Sequence, residues 1–248
     1  MARPITPPPR LAVLLARDAS RALIFRRGPS KRVELVLWET DRDRFEAGQW
    51  FAGRIFERRC DLSPNGELLV YFASKYNRHS VSDDQYTHAW TAVSKPPYLT
   101  ALALWPKGDT WWGGGLFKTN YDLLLNHRPT EAVPHPAHLP TRIRVAPNED
   151  AAGEDDPLYS MRLERDGWTK RQAWHTEFHG FEGGYETVTP EIRERRHPNG
   201  RLRIILTRRL VGFRYSEHFE IEDSRGPVPL AMQDPRGLIG ISEAAYWP

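Results

Sequence analysis

The residues of this 248-residue chain best suited to chemistry form one short run, Trp174-His175-Thr176-Glu177-Phe178-His179. On a strand, side chains alternate, so His175, Glu177 and His179 share one face and Trp174, Thr176 and Phe178 the other. Two imidazoles and a carboxylate are candidate ligands for a divalent metal such as zinc or iron. Positions i and i+4 of a strand lie roughly 13 Å apart, however. Both histidines therefore cannot reach one ion with bonds of about 2 Å. The plain expectation is an aromatic face packed inward and a polar face in water, with a metal only if another segment adds ligands. His127, His135 and His138 lack cysteine partners and a helical His-Glu-x-x-His pattern, while His79, Asp83, Asp84 and His88 bracket a polar loop. No nucleophile elbow, Walker loop or dinucleotide fingerprint is present, so neither a catalytic set nor a cofactor is expected. Cys60, the one cysteine, rules out an internal disulfide framework and reads as a buried thiol.

Two further groups could bind a ligand. Trp111 and Trp112 precede Gly113-Gly114-Gly115. Glycines there let a second backbone or a flat ligand approach closely, and an exposed tryptophan can anchor a partner. The bland alternative is that both rings fill space between sheets. In the hairpin 191–211, Arg193, Arg195, Arg201, Arg203 and Arg209 alternate as if to share one face, with Leu202, Ile204 and Leu206 on the other. Like charges across strands repel. Either phosphates neutralise them, or Glu220 and Glu222 of the following segment do so as a cross-strand ladder.

The elements that position these groups read as strands. Val33–Thr40, Glu67–Ser74, Thr87–Ser94, Leu99–Trp105, Tyr121–Asn126, Leu158–Leu163, Arg201–Leu210 and Phe213–Glu222 are short, rich in β-branched or aromatic residues, and bounded by turn formers. Ala12–Ala22 is the one candidate helix. Leu68–Phe72 is apolar on both faces and must be covered on both sides. The first ten residues hold four prolines and read as an extended leader, and 129–157 as an irregular proline-rich and acidic insertion in a single domain spanning 11–248. Net charge is +3 with 29 arginines and 6 lysines, too mild a balance to demand nucleic acid. No apolar run approaches the ~20 residues of a membrane helix, and the absence of a signal peptide pattern points to the cytoplasm.

Pro-x-Gly recurs at 64–66, 106–108, 198–200 and 235–237, spaced by 42, 92 and 37 residues. Two copies share flanks, IFERRCDLSPNGELLVYF at 55–72 and IRERRHPNGRLRIIL at 192–206. Proline, asparagine and glycine suit the successive positions of a tight turn. The segment LSPNGELLVYFAS resembles the Ser-Pro-Asp-Gly signature of TolB-type, WD-repeat-like β-propellers, with Asn65 in the aspartate position. CDLSPNGELL and SKPPYLTALALWPKGD also resemble segments of a group of bacterial proteins, which implies no activity. The propeller resemblance implies an all-β array of about five to six four-stranded blades, the last incomplete; the rival is an irregular antiparallel β-sandwich.

Blades carry many functions. The leading expectation is a non-enzymatic binding or scaffold protein that recognises another macromolecule, a protein first, through loops and exposed aromatics. The alternatives are a hydrolase with a His/carboxylate pocket and a nucleic-acid-binding module using the 191–211 hairpin.

Overall fold

The computed structural model describes residues 9–28, 32–76, 86–149, 154–196, 202–212 and 214–224. The architecture is all-β, predominantly antiparallel, and no sheet among the described residues closes on itself. The chain divides into two compact units after Ser160.

In the first unit, β1 (Arg10–Leu15), β2 (Arg21–Arg27), β3 (Val33–Glu39) and β4 (Arg44–Phe51) form an antiparallel meander in chain order. A second sheet centres on β7 (Leu69–Ser74), which pairs with the short strands β5 (Arg54–Ile55) and β6 (Asp61–Leu62) on one side. On its other side β7 pairs with β8 (Ala89–Ser94), followed by β9 (Ala103–Pro106). The third sheet holds β10 (Gly115–Phe117), β11 (Asp122–Leu125) and β12 (Arg144–Pro147), the last parallel to β11.

Every residue of β7 is buried, as its unbroken apolar run requires. Leu69, Tyr71 and Ala73 pack with Leu23, Phe25, Val33 and Leu35 of the first sheet. Val70, on the opposite face, packs with Phe117, Leu123 and Leu125 of the third, and Phe72 stacks on Phe56 with ring centroids 4.9 Å apart. The second sheet is thus the middle layer of three.

Two expected elements differ. Ala12–Ala22 is a β-hairpin instead of a helix, because Arg17–Ser20 turn the chain between β1 and β2 and the Ala16 N–H bonds the Arg21 carbonyl at 2.8 Å. Leu158–Leu163 belongs to a helix, α1 (Leu158–Arg165). Leu, Met, Arg and Glu favour helix, and the Asp156 carboxylate caps its first turn by accepting the Ser160 N–H at 3.2 Å.

The recurring turn does not recur in one structural role. Pro64-Asn65-Gly66 closes a hairpin within the second sheet, with Gly66 at φ +69° and its N–H on the Ser63 carbonyl. Pro106-Lys107-Gly108 instead leads out of that sheet toward the third. The copies at 198–200 and 235–237 lie outside the described residues. The shared Ile-x-Glu-Arg-Arg likewise takes two forms, a 3-10 turn at Glu57–Arg59 and extended strand at Ile192–Arg196.

The second unit holds a four-stranded antiparallel sheet in the order β13 (Thr169–Gln172), β16 (Glu191–Arg196), β17 (Leu202–Val211), β18 (Arg214–Asp223). Between β13 and β16 the chain makes a hairpin of β14 (His175–Phe178) and β15 (Tyr185–Thr189), turned through α2 (Gly180–Gly183). Ile204 and Leu206 of β17 are buried.

Two-sided cover of β7 makes a specific prediction. Leu69→Ala and Phe72→Ala, on opposite faces, should each lower unfolding free energy, by about 2–5 and 3–5 kcal/mol respectively. Urea denaturation measures both; loss from only one of the two would mean that one face is open to water.

Candidate functional site

Alternating strand direction brings residues 75–76 and 86–88, the loop 107–114 and the start of the connection 126–143 to one end of the second and third sheets. That end is rich in rings. Tyr76 stacks on His88 at 4.6 Å between centroids, and Tyr86 on His135 at 4.2 Å, with the Tyr86 hydroxyl 3.2 Å from His138 Nε2. The loop 107–114 adds Trp111, 56% exposed, and Trp112.

Arg59 fixes this loop from within. Its side chain is 1% exposed, and its guanidinium donates to the Thr110 carbonyl (2.7 Å), the Trp112 carbonyl (2.5 Å) and the Asp155 carboxylate (2.9 Å). The glycines serve the same junction. Gly113 and Gly114 have φ of +85° and +82°. A Cβ on Gly113 would overlap the Phe72 ring, and one on Gly114 the Arg59 backbone. They accommodate close neighbours within the protein, the second-backbone expectation rather than the flat-ligand one.

Trp112, itself at φ +54°, is half-buried between two cations. The Arg128 guanidinium lies 4.0 Å and the Lys107 ammonium 5.0 Å from its ring centre, both within cation–π range. Lys107 is nearly buried and paired with Glu131 at 2.7 Å and Asp109 at 3.2 Å. Arg128 is exposed and makes no ion pair with a described residue. The result is an exposed Trp111 and Arg128 held on a rigid base.

His127 forms part of that base. It is fully buried, with Nε2 2.8 Å from the Thr91 hydroxyl and Nδ1 3.3 Å from the Glu131 carbonyl. The Gly114 N–H donates to the same hydroxyl at 2.8 Å. A carbonyl can only accept, so we assign the proton to Nδ1, which leaves Nε2 to accept from Thr91. Burial, partly opposed by the Glu131 carbonyl, pushes the His127 pKa down to about 4. Lys107, Arg128 and Glu131 were not legible as part of a site, and His127 stood out only as a histidine without metal partners; the loop packing assembles the four.

The arginine hairpin of the second unit corrects the sequence reading. Arg196 pairs opposite Arg203, so odd-numbered residues of β16 share a face with even-numbered residues of β17. Arg193 and Arg195 therefore face the same way as Leu206 and Ile204, away from Arg203 and Arg209. Arg201 lies outside the described residues. Arg193 is buried on Glu191 at 2.9 Å and Glu164 at 3.3 Å. Arg208, equally buried, meets Glu191 at 2.6 Å and Glu217 at 3.4 Å, over the Trp174 ring. Arg203 pairs with Glu222 directly across the strands at 2.9 Å, the expected ladder rung, and with Glu194 at 3.2 Å. Glu220 instead faces Ile205, with His218 of its own strand 3.5 Å away. Burial raises the Glu194 carboxyl, but hydrogen bonds from Arg196, Arg203 and Arg171 outweigh it and hold the pKa at about 2.

His175, Glu177 and His179 are all exposed. The extra residue of the bulge in this hairpin is Val188 on β15, β14 ends at Phe178, and His179 contacts Glu186 at 3.4 Å. Phe178 points largely into solvent instead of packing inward. Among the described residues no group of three or more His, Cys, Asp or Glu converges as a metal site; His79, Asp83 and Asp84 fall outside those residues. Cys60 is a buried free thiol, as expected. No helix among the described residues is long and apolar enough to cross a membrane.

No protein-family model matches the chain, and no curated protein matches it.

His127 sets a pH dependence. Its pKa of about 4 lies below the unfolded value of 6.5, so the unfolded chain binds the extra proton. Stability should be fully present above pH 6.5 and fall through pH 4 by roughly 3 kcal/mol. Denaturation midpoints across that range, wild type beside His127→Gln, check it: the variant should show a shallower fall.

Proposed function

We propose that the chain is a non-enzymatic binding or scaffold protein that recognises another protein through the loop end carrying Trp111 and Trp112. The observation that carries this reading is the exposure of Trp111 and Arg128, with Arg128 and Lys107 against the Trp112 ring and the loop pinned by Arg59. Tryptophan and arginine dominate interface hot spots, and pre-organisation lowers the entropy lost on binding.

A protein partner is better supported than nucleic acid. The guanidinium groups of Arg193, Arg203 and Arg208 already face carboxylates, which leaves little free charge for phosphates. A propeller-like organisation of the first unit agrees with two successive antiparallel meanders stacked face to face around β7. On that reading the aromatic connections belong to one rim of the blades.

Affinity purification of the tagged chain from the cells that express it tests the reading, with Trp111→Ser and Arg128→Ala beside the wild type. Trp111 is exposed, so Trp111→Ser should leave the melting temperature unchanged, whereas Arg128→Ala removes a cation from the Trp112 ring and should lower it only slightly. We expect a stoichiometric protein partner whose recovery falls at least about tenfold with either variant. A partner set untouched by both substitutions, or RNA recovered in place of protein, would overturn it.

A further inference from the structure

The second unit contains a cleft of about 480 Å³ whose lining includes His179, Tyr185, Glu186, Thr187, Arg209 and Val211. Its floor is a strand pairing. Tyr185 and Gly212 exchange backbone hydrogen bonds of 2.8 and 2.7 Å, and the Thr187 hydroxyl bonds both the N–H and the carbonyl of Leu210. Gly184 and Gly212 permit this approach, since a Cβ on Gly184 would overlap the Gly212 backbone.

Glu186, Arg209 and Val211 all line this cleft, which therefore presents an acid, a base and an apolar side chain together. Val211 is 61% exposed.

Arg209 departs from the pattern of its sheet. Arg193, Arg203 and Arg208 each meet at least one glutamate, whereas Arg209 has Ser216 across the strands and no ion pair with a described residue. Glu186 is 72% exposed, with His179 Nε2 3.4 Å away. Glu186 and Arg209 do not pair with each other, although both line the cleft.

We propose that this cleft binds a free apolar α-amino acid, its carboxylate on Arg209, its ammonium on Glu186 and its side chain across Val211 and Tyr185. A simple anion would be repelled by Glu186 and a simple cation by Arg209; a zwitterion satisfies both. Arginine offers a carboxylate two parallel donors, and the volume lies within the range of small-molecule pockets. The site is separate from the Trp111 loop and stands independently of the proposed protein partner.

Calorimetric titration of the full chain with L-leucine and L-phenylalanine, each beside its N-acetyl and amide forms, tests this. At least one free amino acid should saturate the site, and blocking either terminus should weaken binding at least about tenfold. Arg209→Gln should bind the free acid no better than the amide, and Glu186→Gln no better than the N-acetyl form. No saturation by either amino acid up to about 10 mM, or equal binding of the blocked forms, would overturn the proposal.

Discussion

Burial of β7 on both faces is the constraint around which the first unit is built. A strand apolar at successive positions has no face to give to water, so a layer must lie on each side. The first and third sheets are those layers, and polar groups fix how they meet the second. Gln49 of β4 donates its N–H to the Pro97 carbonyl at 3.0 Å and accepts the Leu99 N–H on its side chain at 2.8 Å. Gly48 lies so close to Pro97 that any Cβ would overlap it. On the other side Asp61 of β6 accepts the Phe117 N–H at 2.8 Å. Tyr71 shows how completely water is excluded: burial pushes its pKa up to about 12, and its hydroxyl donates to the Leu99 carbonyl.

Within this framework both units bury arginine and match it. Removing a guanidinium from water is costly unless its donors are met. Arg59 finds two carbonyls and a carboxylate, and Arg193 and Arg208 share Glu191. Directional, matched bonds of this kind admit few alternatives. Arg59 thereby dictates where the Trp111–Trp112 loop sits, and Glu191 dictates the register of β16 on β17. Arg128 in one unit and Arg209 in the other make no ion pair with a described residue, and each belongs to a binding site proposed above.

Much of the strand content was legible because period-2 apolar patterns and turn formers act locally. Val33–Thr40, Glu67–Ser74 and Thr87–Ser94 overlap β3, β7 and β8 closely. The failures have a common cause. Ile-x-Glu-Arg-Arg is a 3-10 turn where Arg59 is drawn into a buried ion pair and a strand where Glu191 and Arg208 define an edge-to-edge pairing. Identical local sequence cannot distinguish these outcomes. The arginine face was misread for a related reason: side-chain alternation is local, but the parity with which two strands oppose each other depends on the connection between them.

The sequence by itself determined that the chain is all-β, that β7 needs cover on two sides, and that Cys60 is buried. Each follows from residue size and polarity taken in order along the chain. Only the tertiary structure decided which charges are spent on each other and which stand free, because that depends on distances between segments far apart in sequence. His127 reaches Thr91, Arg128 reaches Trp112, and Glu186 lines one cleft with Arg209; no spacing rule connects those positions. The candidate sites are products of packing and register, which act between elements and leave no periodic trace within them.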